Sequence, residues 1–69
     1  MKTAFNKQYL RKAMLEECLS MRALSLKSGV AYAVIWKIMN EDHNPSLATV
    51  GKLAKALNRL PANFFNEQD

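Results

Sequence analysis

The chain has 69 residues, which sets one domain around one core, near the lower size at which a protein folds without a metal or disulfides. Ten Lys and Arg against six Asp and Glu leave a net charge of +4, a modest positive field that suits a polyanionic partner. A single cysteine, Cys18, excludes an internal disulfide, and with one histidine, His43, it cannot assemble a zinc site. The opening MKTAFNKQYL lacks the continuous apolar run and cleavage site of a secretory leader, and no stretch reaches membrane-spanning length. The expectation is a soluble protein of a reducing cytoplasm. Repeats, low-complexity runs and internal linkers are absent, so residues 1–69 read as one unit.

Thr3 or Asn6 is placed to cap a first helix running to about Glu17, with Phe5, Tyr9, Leu10, Ala13 and Met14 as its buried stripe. Lys2, Lys7, Arg11 and Lys12 make its start basic, and Glu16 and Glu17 close it. Cys18 and Leu19 form the connection, where Cys18 is expected to pack rather than to carry redox chemistry. Ser20 then caps a second helix through its hydroxyl, and Ala23 and Leu24 form its apolar side. Gly29 ends that helix, because glycine reaches the left-handed conformation without steric cost and lets the chain turn sharply. Val30 plugs the corner. Val34, Ile35 and Ile38 repeat at helical spacing and leave Tyr32, Ala33, Trp36 and Lys37 on other faces of a third helix. Residues 20 to about 39 therefore read as two short helices joined by a tight turn, the arrangement that presents a helix to the DNA major groove in small basic proteins.

Asn40 to Pro45 is a loop, since Asn, Asp and Pro cluster there. Ser46 caps a fourth helix, along which Leu47, Val50, Leu53, Ala54 and Leu57 follow at intervals of three and four until about Asn58. Pro61 fits the first turn of a short fifth helix, with Phe64 and Phe65 returning aromatic area to the core and to a dimer edge. Asn66 to Asp69 is expected to be a loose tail. The predicted class is all-α, five helices and no strand. No carboxylate pair, nucleophile with a base, phosphate loop or metal cluster is visible, so neither an enzyme nor a cofactor is expected.

The segment LSMRALSLKSGVAYAVIWKIMNEDHNPSLATVGKLAKALNRLPANFF resembles the phage-repressor (Cro/Xre-type) helix-turn-helix family. The likeness covers roughly Leu10 to Phe65, and its most specific parts are Leu19-Ser20, Ala23-Leu24, Ser28-Gly29-Val30, Ile35, Ile38 and NPSLATVGKLAKAL. It implies a five-helix repressor-like fold, sequence-specific binding of a double-stranded DNA operator, and a role in transcription without enzymatic chemistry. Carried across position by position, it places Tyr32, Ala33, Trp36 and Lys37 where relatives reach base edges. It places Ser20, Met21, Asn40 and Asn44 where they hold phosphates. It further implies a weak homodimer, formed or strengthened on a pseudo-palindromic site, in a bacterial or phage-infected cytoplasm.

Several positions depart from the family pattern. Relatives often carry at Met21 a glutamine that bonds a phosphate, which a methionine cannot do. Tyr32, Ala33 and Trp36 supply bulk and apolar contact in place of paired hydrogen bonds. Glu41 and Asp42 bring two carboxylates close to the expected phosphate path. Met14 and Met39 stand at the positions of an arginine–glutamate pair that many repressors place between their first and third helices, and replacing both partners avoids an uncompensated buried charge. The apolar reading face also fits a second class of function, a protein-interaction module or an antitoxin-type repressor that binds a protein partner through Tyr32 and Trp36. His43 is expected to be a surface loop residue.

Overall fold

In the computed structural model, which describes residues 2–41 and 43–68, the order is β1 (Lys2–Phe5), α1 (Lys7–Glu16), α2 (Met21–Ser28), α3 (Tyr32–Asn40), α4 (Leu47–Leu57), a 3-10 turn (Pro61–Phe64) and β2 (Phe65–Gln68). Of the α-helices in this order, α1, α2 and α4 begin on a side-chain cap and α3 does not. The Asn6 amide oxygen accepts from the Gln8 and Tyr9 N–H groups at 3.1 Å, Ser20 from Ala23 at 3.1 Å, and Ser46 from Thr49 at 3.2 Å. Thr3, the other candidate cap, lies instead within β1.

The inward faces meet in one core of Leu10, Ala13, Met14, Leu24, Val30, Ile35, Ile38, Val50, Leu53, Ala54, Ala56, Leu57 and Phe64. Full burial of each large aliphatic side chain contributes about 1.5–3 kcal/mol, so this shared core supplies the main drive to fold. Val30 is buried at the corner as the pattern requires. Met14 is buried, and Met39 packs partly buried against the same core, so the two methionines occupy apolar surroundings and leave no buried charge unpaired. Leu47 is a correction: it opens α4 and is 72% exposed, because the first residue of a helix lies outside the stripe that the following turns bury. Cys18 is another, since its side chain is exposed rather than packed.

The ends of the chain also differ from expectation. Among the described residues four α-helices form, and the predicted fifth is a single 3-10 turn, closed by the Asn63 N–H on the Leu60 carbonyl at 3.0 Å. Four residues starting with a proline are too few for a stable α-helical turn. Two strands replace the absence of strand: β1 and β2 pair antiparallel, with Phe5 opposite Phe65 and Lys2 opposite Gln68. Asn66 to Gln68 thus belong to β2 rather than to a loose tail, while Asp69 lies outside the described residues. Phe5 sits in β1, one residue before the cap of α1. An aromatic group holds this end together. Phe5 stacks on Phe64 with centroids 6.1 Å apart, Tyr9 meets Phe64 edge-on at 4.9 Å, and Phe65 meets Phe5 edge-on at 6.0 Å. The Asn6 N–H donates to the Phe64 carbonyl at 2.7 Å and aligns the two strands.

Arg59 ties the other end. Its guanidinium bonds Glu16 at 2.9 Å and Glu17 at 3.2 Å, joining the end of α1 to the segment after α4, and also donates to the Leu57 carbonyl at 2.9 Å. The bond to Glu16, with smaller help from Glu17 and against partial desolvation, raises the Arg59 pKa, so this cation stays charged at any working pH. On the arginine side, that contribution is present below the ordinary arginine range and is lost as pH rises through the raised pKa.

Two helices end in the same way. Asn58 (φ 58°) and Cys18 (φ 55°) adopt the left-handed conformation, the Arg59 N–H reaches the Ala54 carbonyl at 2.9 Å, and the Leu19 N–H reaches that of Met14 at 2.9 Å. Asparagine tolerates this backbone, whereas a cysteine bears a steric cost of about 1–2 kcal/mol, partly offset by the extra chain entropy of glycine. Cys18→Gly should therefore stabilise the protein by about 0.5–1 kcal/mol, read as a higher midpoint of urea unfolding with an unchanged slope.

Candidate nucleic-acid interface

The local sequence fixes the α2–α3 corner through three hydrogen bonds. Gly29 turns the chain at φ 78° and donates its N–H to the Ser25 carbonyl at 2.9 Å. The Ser25 hydroxyl donates to the Val30 carbonyl at 2.6 Å, and the Val30 N–H donates to the Ser28 hydroxyl at 3.1 Å. Both polar groups of Val30 are satisfied while its side chain plugs the core. With the corner set, Ile35 and Ile38 are buried at 0% and 1% exposure, so the opposite side of α3 faces solvent.

That outer side carries the four residues expected to read bases. Tyr32 and Trp36 are 43% and 44% exposed, and Ala33 and Lys37 are exposed, so the structure brings all four onto one open face. Ala31 occupies the cap position of α3 without a capping side chain, which keeps bulk away from the start of the helix. The four expected phosphate contacts are less uniform. Ser20 is exposed, but its oxygen already accepts from Ala23 as the cap of α2. The Met21 side chain packs against the core, leaving its backbone as the group near the helix start. Asn40 is exposed at the end of α3, with its amide donating to the Trp36 carbonyl at 3.0 Å. Asn44 is exposed and lines a small hollow of about 110 Å³ with Phe5, Lys7, Ile38, Glu41 and His43. His43 is exposed as expected. Glu41 is exposed where α3 ends, and Asp42 lies outside the described residues.

Sequence reasoning missed Arg22. This residue, in the first turn of α2, sets its guanidinium carbon 5.9 Å from the centroid of the Tyr32 ring, bridging the two helices by a cation–π contact. Ten residues separate the partners, and nothing in their spacing announces the contact. The crossing of α2 over α3 creates it. Among the described residues no group of three or more His, Cys, Asp or Glu is placed to hold a metal ion, and no helix is long and apolar enough to cross a membrane.

A family model for the helix-turn-helix class HTH_3 matches residues 10–65, from within α1 through α2, α3, α4 and the 3-10 turn. The chain belongs to the Xre-type HTH_3 helix-turn-helix family. This is a family of DNA-binding transcriptional regulators. The restriction-modification controller protein C.AhdI from Aeromonas hydrophila has the same fold, with a TM-score of 0.77, 31% identity, and 84% of this chain covering 88% of that one. An HTH_3 family transcriptional regulator from Vibrio cholerae aligns with a TM-score of 0.73 and 27% identity over 80% of this chain, which spans 31% of that longer protein. No curated protein matches the chain. In this HTH_3 member the corner bonds set the angle at which α3 projects. Ser25→Ala should leave the Val30 carbonyl without its donor and cost about 1–2 kcal/mol, measured by urea unfolding.

Proposed function

We propose that this HTH_3 protein is a small Cro-like repressor that binds a duplex operator as a pair of copies, with α3 in the major groove. The observation that carries this reading is the single solvent-facing row of Tyr32, Ala33, Trp36 and Lys37 on a helix anchored from behind by Ile35 and Ile38. Ala33 meets a thymine methyl, and Lys37 donates to a guanine edge or a phosphate. Tyr32 and Trp36 supply apolar area, and the Tyr32 hydroxyl reaches a phosphate. The proposed backbone contacts are the α2 start at Ser20 and Met21, together with Asn40 and Asn44. Arg22, exposed and set over the Tyr32 ring, joins them. A reading surface this small needs two half-sites for specificity, so association is weak in solution and strengthened on DNA.

Selection from a random duplex library, followed by titration of the enriched sequence in rising salt, tests the reading. An enriched palindrome with a steep salt slope is expected; a folded protein that enriches nothing would overturn it. Lys37→Ala and Arg22→Ala should each weaken operator binding and lower the salt slope by about one, because each removes one phosphate-neutralising cation. Trp36 is the sole tryptophan, so its fluorescence reports on the interface directly. Adding the operator should shift or quench its emission, and a signal unchanged at saturation would place Trp36 outside the contact.

A second reading is favoured by the same exposed Tyr32 and Trp36, since half-exposed aromatic side chains act as anchors in protein interfaces. An antitoxin-type repressor would use them on a protein partner as well as on DNA. Trp36→Ala with normal operator affinity but loss of a co-purifying protein is the result that would favour it.

A further inference from the structure

We propose that the hollow between α2 and α4 is a second docking site, which receives an acidic segment of a partner protein. This hollow of about 460 Å³ is lined by Lys27, Ser28, Lys52, Lys55 and Ala56. The end of α2 supplies the first two residues and the second half of α4 the other three. None of the residues reading outward from α3 takes part in it.

Three lysines line it, and among the described residues none of them has an ion-pair partner. Of the carboxylates whose side chains are described, Glu16 and Glu17 hold Arg59, and Glu41 lies past the end of α3. Helix dipoles account for Lys27 and Lys55, each in the last turn of its helix, where a cation is favoured. They do not account for Lys52, which stands farther from the α4 terminus. Ser28 adds a donor, because its oxygen accepts from the Val30 N–H while its own proton remains available to a ligand. Ala56 is small and buried, which keeps the floor low, and the lysine methylenes form apolar walls. The hollow therefore offers separate positive charges, one hydroxyl donor and apolar sides.

That set fits glutamate and aspartate side chains better than a nucleic acid. Carboxylates are single charges on short flexible stems that enter a hollow one at a time. A duplex is a broad convex cylinder whose phosphates rest on a protein surface, and a space of this volume admits only a few side chains. The partner defined by this chemistry is a protein segment rich in Glu or Asp with small residues between them.

The test is a titration of the isotope-labelled full chain with a synthetic dodecapeptide of alternating Glu and Ala, followed by amide shifts in low salt. Pyrophosphate and a random-sequence duplex are titrated in parallel. The expected result is a set of saturable shifts at Lys27, Ser28, Lys52, Lys55 and Ala56 with little change along Tyr32–Lys37. The triple variant K27Q/K52Q/K55Q should lose peptide affinity at least tenfold. Lys52→Glu alone should lose more than Lys12→Glu, the same reversal at an exposed lysine of α1, so the comparison stands even if the triple variant folds poorly. Equal losses at the two positions, shifts spread over every lysine, or tighter binding of pyrophosphate or duplex in the hollow would overturn the proposal. The peptide readout does not depend on operator binding, so failure of the repressor reading and failure of this one are distinguishable.

Discussion

The geometry of the interface rests on the turn at Gly29. Its left-handed backbone reverses the chain within a few residues, and the Ser25 hydroxyl locks the reversal by binding the Val30 carbonyl. An α-helix of eight or nine residues has no intrinsic reason to persist alone, so α2 and α3 survive by packing on one another and on the core. Without the clasp, Val30 would not reach the core with its polar groups satisfied, and α3 would lose a defined projection. The interface is thus built from behind. Ile35 and Ile38 point inward because the corner aims them there, and the reading face exists because the remaining positions have nowhere else to go.

For the proposed reading role the outward face of α3 is largely apolar, and that reading redistributes the work of recognition. Tyr32, Ala33 and Trp36 contribute area and shape more than paired hydrogen bonds, and the charges come from Lys37 on α3 and Arg22 on α2. The Arg22–Tyr32 contact couples those two sources, since an arginine lying over an aromatic ring loses some of its freedom before any ligand arrives. On the same proposal Glu41, exposed at the far end, acts in the opposite sense by opposing phosphate approach. Affinity on such a face is expected to depend on fit, with charge setting the approach.

Two ties enclose the helices from opposite ends. The aromatic group of Phe5, Tyr9, Phe64 and Phe65 joins the chain termini through β1 and β2, and Arg59 pins the end of α1 to the segment after α4. With Met14 and Met39 packed in or against the core, Arg59 supplies a charged link from α1 to the segment after α4. Its two carboxylate partners are half-exposed and part-exposed, which is the regime in which an ion pair orients elements rather than supplying most of the stability.

Helix positions were legible in the residues because capping and periodicity are local. Asn6, Ser20 and Ser46 each begin a helix where their side chains can reach free backbone N–H groups, and Gly29 and Asn58 end helices where a left-handed residue is tolerated. The four outward residues of α3 were legible for the same reason, as the complement of Val34, Ile35 and Ile38. The terminal strands were not, because KTAF and FNEQ show no alternation and pair only after the helices have brought residues 2–5 and 65–68 together. Contacts across the fold were equally silent: Arg22 over Tyr32, Arg59 on Glu16 and Glu17, and the three lysines between α2 and α4 are fixed by helix crossings. Residues three or four apart meet by the geometry of one helix, whereas residues on different helices meet only when a shared core has set the angle between them.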